Sequence, residues 1–242
     1  MKPALNEVKA IVFDTFGTVV DWRTSIIADL SAWAGQRGLP AGTVDWEAFV
    51  QAWRGLYEPQ KDRVKNGSLP WTHIDALHLE ALESILPKFG LTDLSPADKL
   101  HVNRVWHRLN PWPDVLAGLH ALKPRYILGP LSNGSIALLV NMARHASLPW
   151  DCIFSAEHFR HYKPHPDTYL GVCRQLQLEP HEVMMCAAHN YDLRAARALG
   201  LRTGFIARPT EYGPAQAKDM AAEDAWDVIA DSMTAFAAAM PR

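Results

Sequence analysis

Four short stretches place chemically capable side chains where apolar segments end. The run IVFDTFGTVV, residues 11–20, holds one carboxylate, Asp14, followed by Thr15, Phe16, Gly17 and Thr18. A carboxylate at the end of a buried strand can act as a nucleophile, with Gly17 permitting a sharp turn and the Thr18 hydroxyl steadying the charge. The same residue could instead be a turn or helix-cap aspartate. In LSNGS, Leu131 to Ser135, a hydroxyl and an amide from Ser132 and Asn133 meet backbone N–H groups at a helix start. That is a ready anion site, or a plain helix cap, and the two readings are compatible. HYKPHPDTYL places Lys163 in a Pro-rich loop, with Tyr169 six residues on. A lone lysine is commonly a solvated charge, and the tyrosine by itself reads as packing. AAHNYD carries His189 and Asp192. Asp192 can cap the following helix or polarise a water, and His189 can touch a ligand or sit as a satisfied strand-end residue.

These stretches need elements to position them. Three apolar runs read as buried parallel strands: Ala10 to Val20, Tyr126 to Ser132 and Val183 to His189. A fourth spans Arg202 to Ala207, and a weaker fifth Trp226 to Asp231. Helical patterns lie between them, in SIALLVNMARHA, PDTYLGVCRQLQL and YDLRAARALG. Strands alternating with helices predict an α/β fold with a Rossmann-like parallel-sheet core, whose ligand crevice lies beyond the carboxyl ends of the strands. Between the first two strands, segments 22–37, 45–65, 72–87 and 95–108 read as helices and carry Trp22, Trp33, Trp46, Trp53, Trp71 and Trp106. So long a connection is unusual for a plain loop, and it reads as an inserted α-helical cap domain over residues 21–110. The core would comprise 1–20 and 111–242, with NPWPDV at 110–115 as the hinge back. A cap above the strand ends could exclude water and supply selectivity.

Composition narrows the classes. The 242 residues are 48% apolar and 21% charged, enough for a proper core, and the formal net charge of −2 argues against a nucleic-acid binder. No stretch approaches the roughly 20 apolar residues that span a membrane, and the apolar run near the start is too short for a signal peptide. Cys152, Cys173 and Cys186 lack metal-ligand spacing and cannot all pair, so a reducing, cytoplasmic setting is expected.

Taken in order, Asp-x-x-Gly-Thr, Leu-Ser-Asn, Lys-Pro and a small-residue strand followed by Asp resemble the haloacid dehalogenase superfamily over nearly the whole chain. Most of that superfamily are magnesium-dependent phosphotransferases with Asp-x-Asp-x-Thr at the first motif. Phe16 stands at the second acidic position, and Ala188 stands four residues before Asp192, where those enzymes often keep another acid. An aromatic at the position of Phe16 resembles the L-2-haloacid dehalogenases. That resemblance implies a metal- and cofactor-independent displacement of halide from a short 2-haloacid, through an aspartyl ester, to a 2-hydroxy acid. It implies Asp14 as nucleophile, Thr18 as its support, Lys163 as the cation keeping it ionised and Asp192 as the group orienting or deprotonating water. Ser132, with Thr15, Phe16 and the N–H groups after Asp14, would line the substrate. Arg54, in QAWRGLYEP, would cradle the halide with Asn133, and Tyr169 matches a family tyrosine. His189 departs from the family asparagine, and an imidazole there could hydrogen-bond a small basic leaving group such as fluoride. Members of that family are often homodimers, and a homodimer is an expectation here. The rival readings are a magnesium-dependent phosphatase of the same fold and a degenerate, non-catalytic binder of small carboxylates.

Overall fold

The computed structural model describes residues 5–241. Residues 1–4, part of the stretch read as too short for a leader, and residue 242, the last of the expected core, lie outside the described residues. Six strands form one parallel sheet: β1 (Ala10–Phe13), β2 (Ile127–Ser132), β3 (Phe154–Ser155), β4 (Val183–Ala187), β5 (Arg202–Ile206) and β6 (Val228–Ala230), in the order β3-β2-β1-β4-β5-β6. This is the Rossmann order, in which chain direction across the sheet reverses between β1 and β4 and opens a crevice at their carboxyl ends. Ala10 to Phe13 pair with Ile127 to Pro130 on one side and Val183 to Cys186 on the other, so the three strands end nearly level.

β1 is buried along its whole length because both faces of the sheet are covered. Its side chains alternate. Ile11 and Phe13 join a core with Leu128, Met184, Cys186 and Phe236, whereas Ala10 and Val12 join a second with Val172, Met185, Leu193 and Phe205. The first core continues under the helices Val115–Leu122, Ile136–His145 and Met233–Ala239; the second lies under Pro166–Leu176 and Asn190–Ala198. Gly118 permits a close contact between two of these helices, since a β-carbon there would stand 2.5 Å from Met233 Cγ.

Several sequence expectations need correction. β1 stops at Phe13 rather than Val20: Gly17 takes a φ of +88°, and Val19 and Val20 donate back to the Thr15 carbonyl, so the chain folds into a tight loop directly after Asp14. The expected helix 45–65 is two, Trp46–Gly55 and Tyr57–Lys65, because Pro59 has no N–H to give the Gly55 carbonyl. Segment 72–87 is helical from Ile74 to Ile85 and tightens to a 3₁₀ turn at Leu86–Phe89, where Pro87 enters. Segment 95–108 is helical over Pro96–Asn103 and ends as a 3₁₀ turn, Arg104–His107. The fifth strand shortens to Val228–Ala230, and β3, only two residues long, had no sequence signal.

Among the described residues, everything regular between β1 and β2 is helical. An aromatic cluster holds those helices together: Trp106 packs edge-on to Trp53 at 5.5 Å, stacks on His78 at 4.6 Å and meets Phe16 at 5.9 Å. The two chain crossings are bonded to each other, Asp21 N–H donating to the Asn110 carbonyl at 3.0 Å and Trp112 N–H to the Val19 carbonyl at 3.1 Å. Further contacts tie the helices to loops of the sheet. Ser135 Oγ donates to Asp75 at 2.6 Å, and Tyr162 OH, one residue before Lys163, donates to the Thr72 carbonyl at 2.7 Å.

Candidate active site

Asp14 follows the last residue of β1, and its backbone N–H continues the ladder by donating to the Cys186 carbonyl at 2.9 Å. The tight loop after it carries Thr18 back over the carboxylate. Thr18 Oγ1 donates to Asp14 Oδ2 at 2.9 Å and accepts from Ala188 N–H at 2.8 Å, so the residue after β4 fixes the hydroxyl that fixes the Asp14 carboxylate. Asp14 therefore caps no helix; Asp21 does that for Trp22–Gln36, accepting from Thr24 N–H.

Lys163 lies in the loop before the helix Pro166–Leu176 and is fully buried, contrary to the surface reading. Its Nζ donates to Asp14 Oδ1 at 2.9 Å and also to Asp192 Oδ2. Asn133 secures that loop: its Oδ1 accepts from Lys163 N–H at 2.8 Å, which turns its amide nitrogen toward Tyr57, whose hydroxyl accepts at 3.0 Å. Asp192 does not cap the helix Asn190–Ala198. Its two oxygens accept from Lys163 and from the Tyr169 hydroxyl. Tyr169 is itself fully buried, so it stands behind Asp192 rather than facing a ligand.

His189, the residue before that helix, sits between two carboxylates. Nδ1 is 2.9 Å from Asp14 Oδ2, and Nε2 is 2.9 Å from Glu211 Oε2. Both ring nitrogens are thereby engaged, so His189 is not placed as the free donor to a leaving halide that the sequence suggested. Glu211 escaped the sequence reading altogether. It lies in the irregular loop after β5, where an acid has no periodicity to mark it, and the only hint was its place beyond a strand end on the same side of the sheet.

Ser132 ends β2; its Oγ accepts from Gly134 N–H at 3.1 Å, leaving the hydroxyl proton free to donate. Ser135 does the capping, accepting from Leu138 N–H, so the anion and cap readings of LSNGS divide between two serines. Thr15 Oγ1 is buried without a partner. On the helical side, the Arg54 guanidinium lies over the rings of Tyr57 at 4.2 Å and Trp22 at 5.6 Å. Phe16 packs edge-on against Trp106.

The charges set the protonation. Burial pushes the Asp14 carboxyl up, but Lys163 and His189 outweigh it and hold the group well below the usual carboxylate range. Burial disfavours the charged Lys163 and His189, yet Asp14 and Asp192 hold the lysine up, and Glu211 and Asp14 hold the histidine well above its ordinary value. Burial and the neighbouring Asp14 raise Asp192 despite Lys163. The result is an ionised carboxylate at a strand end, flanked by two cations, with a second carboxylate of opposite tendency, Asp192, on the same lysine.

A Rossmann-ordered sheet with a buried carboxylate directly after its first strand places a candidate nucleophile in the strand-end crevice. The comparisons narrow this. A family model described as haloacid dehalogenase-like hydrolase matches residues 8–200. The crystal structure of an L-2-haloacid dehalogenase is 52% identical, with a TM-score of 0.91 over 96% of this chain and 97% of that one. A defluorinating L-2-haloacid dehalogenase is 45% identical, with a TM-score of 0.92 over 96% and 95%. Among curated proteins, (S)-2-haloacid dehalogenase 1 of Pseudomonas sp. (strain CBS-3) is 28% identical over 216 residues, 86% of this chain and 89% of its own. Phosphatases also match, among them the fructose-1-phosphate phosphatase YqaB of Escherichia coli (strain K12), 25% identical over 79% of this chain and 92% of its own. The chain belongs to the haloacid dehalogenase-like hydrolase family.

Proposed function

We propose that the protein hydrolyses short (S)-2-haloacids, haloacetates and 2-halopropionates, to 2-hydroxy acids through an ester on Asp14, without a metal. The observation that carries this reading is the charge balance at Asp14. Its carboxylate is met at 2.9 Å by Lys163 and at 2.9 Å by His189, so the chain itself supplies the positive charge. A carboxylate oxygen attacks the halogen-bearing carbon, the carbon–halogen bond breaks with its electrons on the halide, and water then cleaves the ester at Cγ.

Ser132, with its spare proton, and the unpartnered Thr15 hydroxyl fit the substrate carboxylate. Arg54 and the outward amide of Asn133 fit the departing halide, as donors of an oxyanion hole fit an oxygen. Phe16 supplies an apolar wall, Asp192 the base for water, and Tyr169 holds Asp192 in place. Residues 21–110 act as the cap that closes this pocket. Fluoroacetate belongs in the substrate panel because one of the similar structures is a defluorinating enzyme.

A magnesium ion does not fit this donor set. Magnesium needs several hard oxygen ligands, whereas the side chains of Phe16 and Ala188 offer none, and Asp14 and Asp192 both already face the Lys163 ammonium. Among the described residues the grouping of three close ligand side chains is His161, His165 and Asp167, two exposed histidines and a half-buried aspartate that flank Lys163 in sequence and share no member with this site. The test is halide release from chloroacetate and 2-chloropropionate in EDTA. Undiminished release supports the reading. No halide, with phosphate released from phosphate esters once magnesium is added, would overturn it in favour of the phosphatase.

A further inference from the structure

The proposed roles leave one buried acid unused. Glu211 takes the Trp22 indole N–H on Oε1 at 3.0 Å and faces His189 Nε2 with Oε2 at 2.9 Å. The loop after Asp14 is shaped around it: a β-carbon on Gly17 would stand 2.2 Å from the Glu211 carboxyl carbon, so only glycine leaves room for the acid there. Arg208 holds the two loops together, donating to the Thr18 carbonyl at 3.1 Å and pairing with Asp114 through both terminal nitrogens. Glu211 is thus a built part of the site.

The two oxygens of Asp14 are unequal. Oδ2 accepts from Thr18 and faces His189, both at 2.9 Å, whereas Oδ1 has only Lys163. Each hydrogen bond draws electron density from the oxygen that accepts it, so Oδ1 is the better nucleophile. Oδ1 then becomes the oxygen bonded to the substrate carbon, and Oδ2 becomes the ester carbonyl. When water adds to Cγ, negative charge develops on Oδ2, where two donors already stand.

We propose that His189, positioned by Glu211, forms with Thr18 the oxyanion hole for hydrolysis of the Asp14 ester. This rests on the haloacid reading and assigns its second half-reaction. The water oxygen bonds to Cγ, one water proton passes to Asp192, and the carbonyl electron pair moves onto Oδ2. As that pair returns, the Cγ–Oδ1 bond breaks. The product oxygen takes a proton from Lys163, which recovers one from Asp192. The new Asp14 carboxyl releases its remaining proton to solvent. His189 is a catalytic residue here, because it touches a reacting oxygen; Glu211 is a positioning residue acting through it.

The experiment is rapid-quench of the full chain with chloroacetate in excess over enzyme, reading halide, glycolate and the mass of the Asp14 ester. In the wild type, glycolate keeps pace with halide. In His189→Ala and Glu211→Gln, a burst of about one halide per enzyme precedes an accumulating ester. Ester hydrolysis slows by about 10²–10³-fold in His189→Ala, the range for losing one oxyanion donor, while halide release changes by only a few-fold. His189→Asn, which returns a neutral donor, recovers part of that loss. Glu211→Gln adds a pH signature. His189 is faced by Asp14, Glu211 and the Tyr191 ring, with Lys163 beyond Asp14, and removing the Glu211 charge moves the alkaline loss of hydrolysis to lower pH. Equal slowing of halide and glycolate with no ester, or an unmoved alkaline limb in Glu211→Gln, would overturn the proposal. Wild type releasing neither halide nor glycolate would instead sink the haloacid reading beneath it.

Discussion

On the sheet side of the site, Asp14, Thr18, Lys163, Asp192, His189 and Glu211 are hydrogen-bonded to one another. The helices facing them bring polar atoms that have no such partners: both ring nitrogens of His78 and the indole N–H of Trp106 are buried and unpaired. Burial drives the His78 imidazole down to about 3, so it is neutral and serves as a flat aromatic surface against Trp106. One side is coupled by charge, the other by packing. Removing one member of a charge-coupled set leaves its neighbours uncompensated in a low-dielectric setting. Removing one member of a packed set costs volume and local contacts. The sheet side should therefore be brittle in rate and the helical side brittle in stability.

Asp14→Asn strikes the sheet side hardest. Halide release should fall by about 10⁴-fold or more in the folded protein, as when a nucleophile is removed. Residual turnover of a few per cent would break the comparison at its centre. Lys163→Met comes next. It leaves Asp14 and Asp192 facing each other, and kcat should fall by roughly 10³-fold because one of them takes up a proton. The sign is testable. Lys163 helps hold the Asp14 value down, so its contribution to activity and stability is present above the ordinary carboxylate range and lost as pH falls through the depressed value. Without Lys163, a pH–rate profile should show the acid limb displaced to higher pH.

Trp106→Ala tests the helical side. Urea titration should show a loss of about 3–5 kcal/mol, with kcat of the remaining folded protein falling far less than in either sheet-side variant. A purely kinetic effect would reverse the assignment of the two sides. Replacing His78 by Phe should change stability by less than about 1.5 kcal/mol, since it exchanges two unpaired nitrogens for carbon in the same aromatic stack. EDTA should do least: dialysis against it should leave kcat within error.

How legible this was depended on whether a residue sat beside a pattern. Asp14, Ser132 and Asp192 sit at or just past the ends of apolar runs, so the parallel sheet that gathers them could be inferred from the runs, whereas Lys163, in a Pro-rich loop, had its role only from the family resemblance. Strand ends were less legible, because Val19 and Val20 are as apolar as β1 itself and only the turn at Gly17 tells the two apart. Glu211 was invisible for a different reason: its meaning lies in Trp22 and His189, which are distant in sequence and meet it only in the folded chain. His189 was seen, but its partners were not, and a ring with carboxylates on both sides does different chemistry from one with a free nitrogen.

The bonded crossing at Asp21 and Asn110 has a consequence for how such chains diversify. Where a connection leaves and returns at one point, the entropy of closing it depends on its length and not on what hangs from it. Doubling the length of a closed loop adds only about 0.6 kcal/mol of closure entropy. Loop closure therefore sets little limit on the length of the helical stretch; what a longer or shorter stretch must keep or replace is its contacts to the sheet's loops through Asp75, Thr72 and Tyr57.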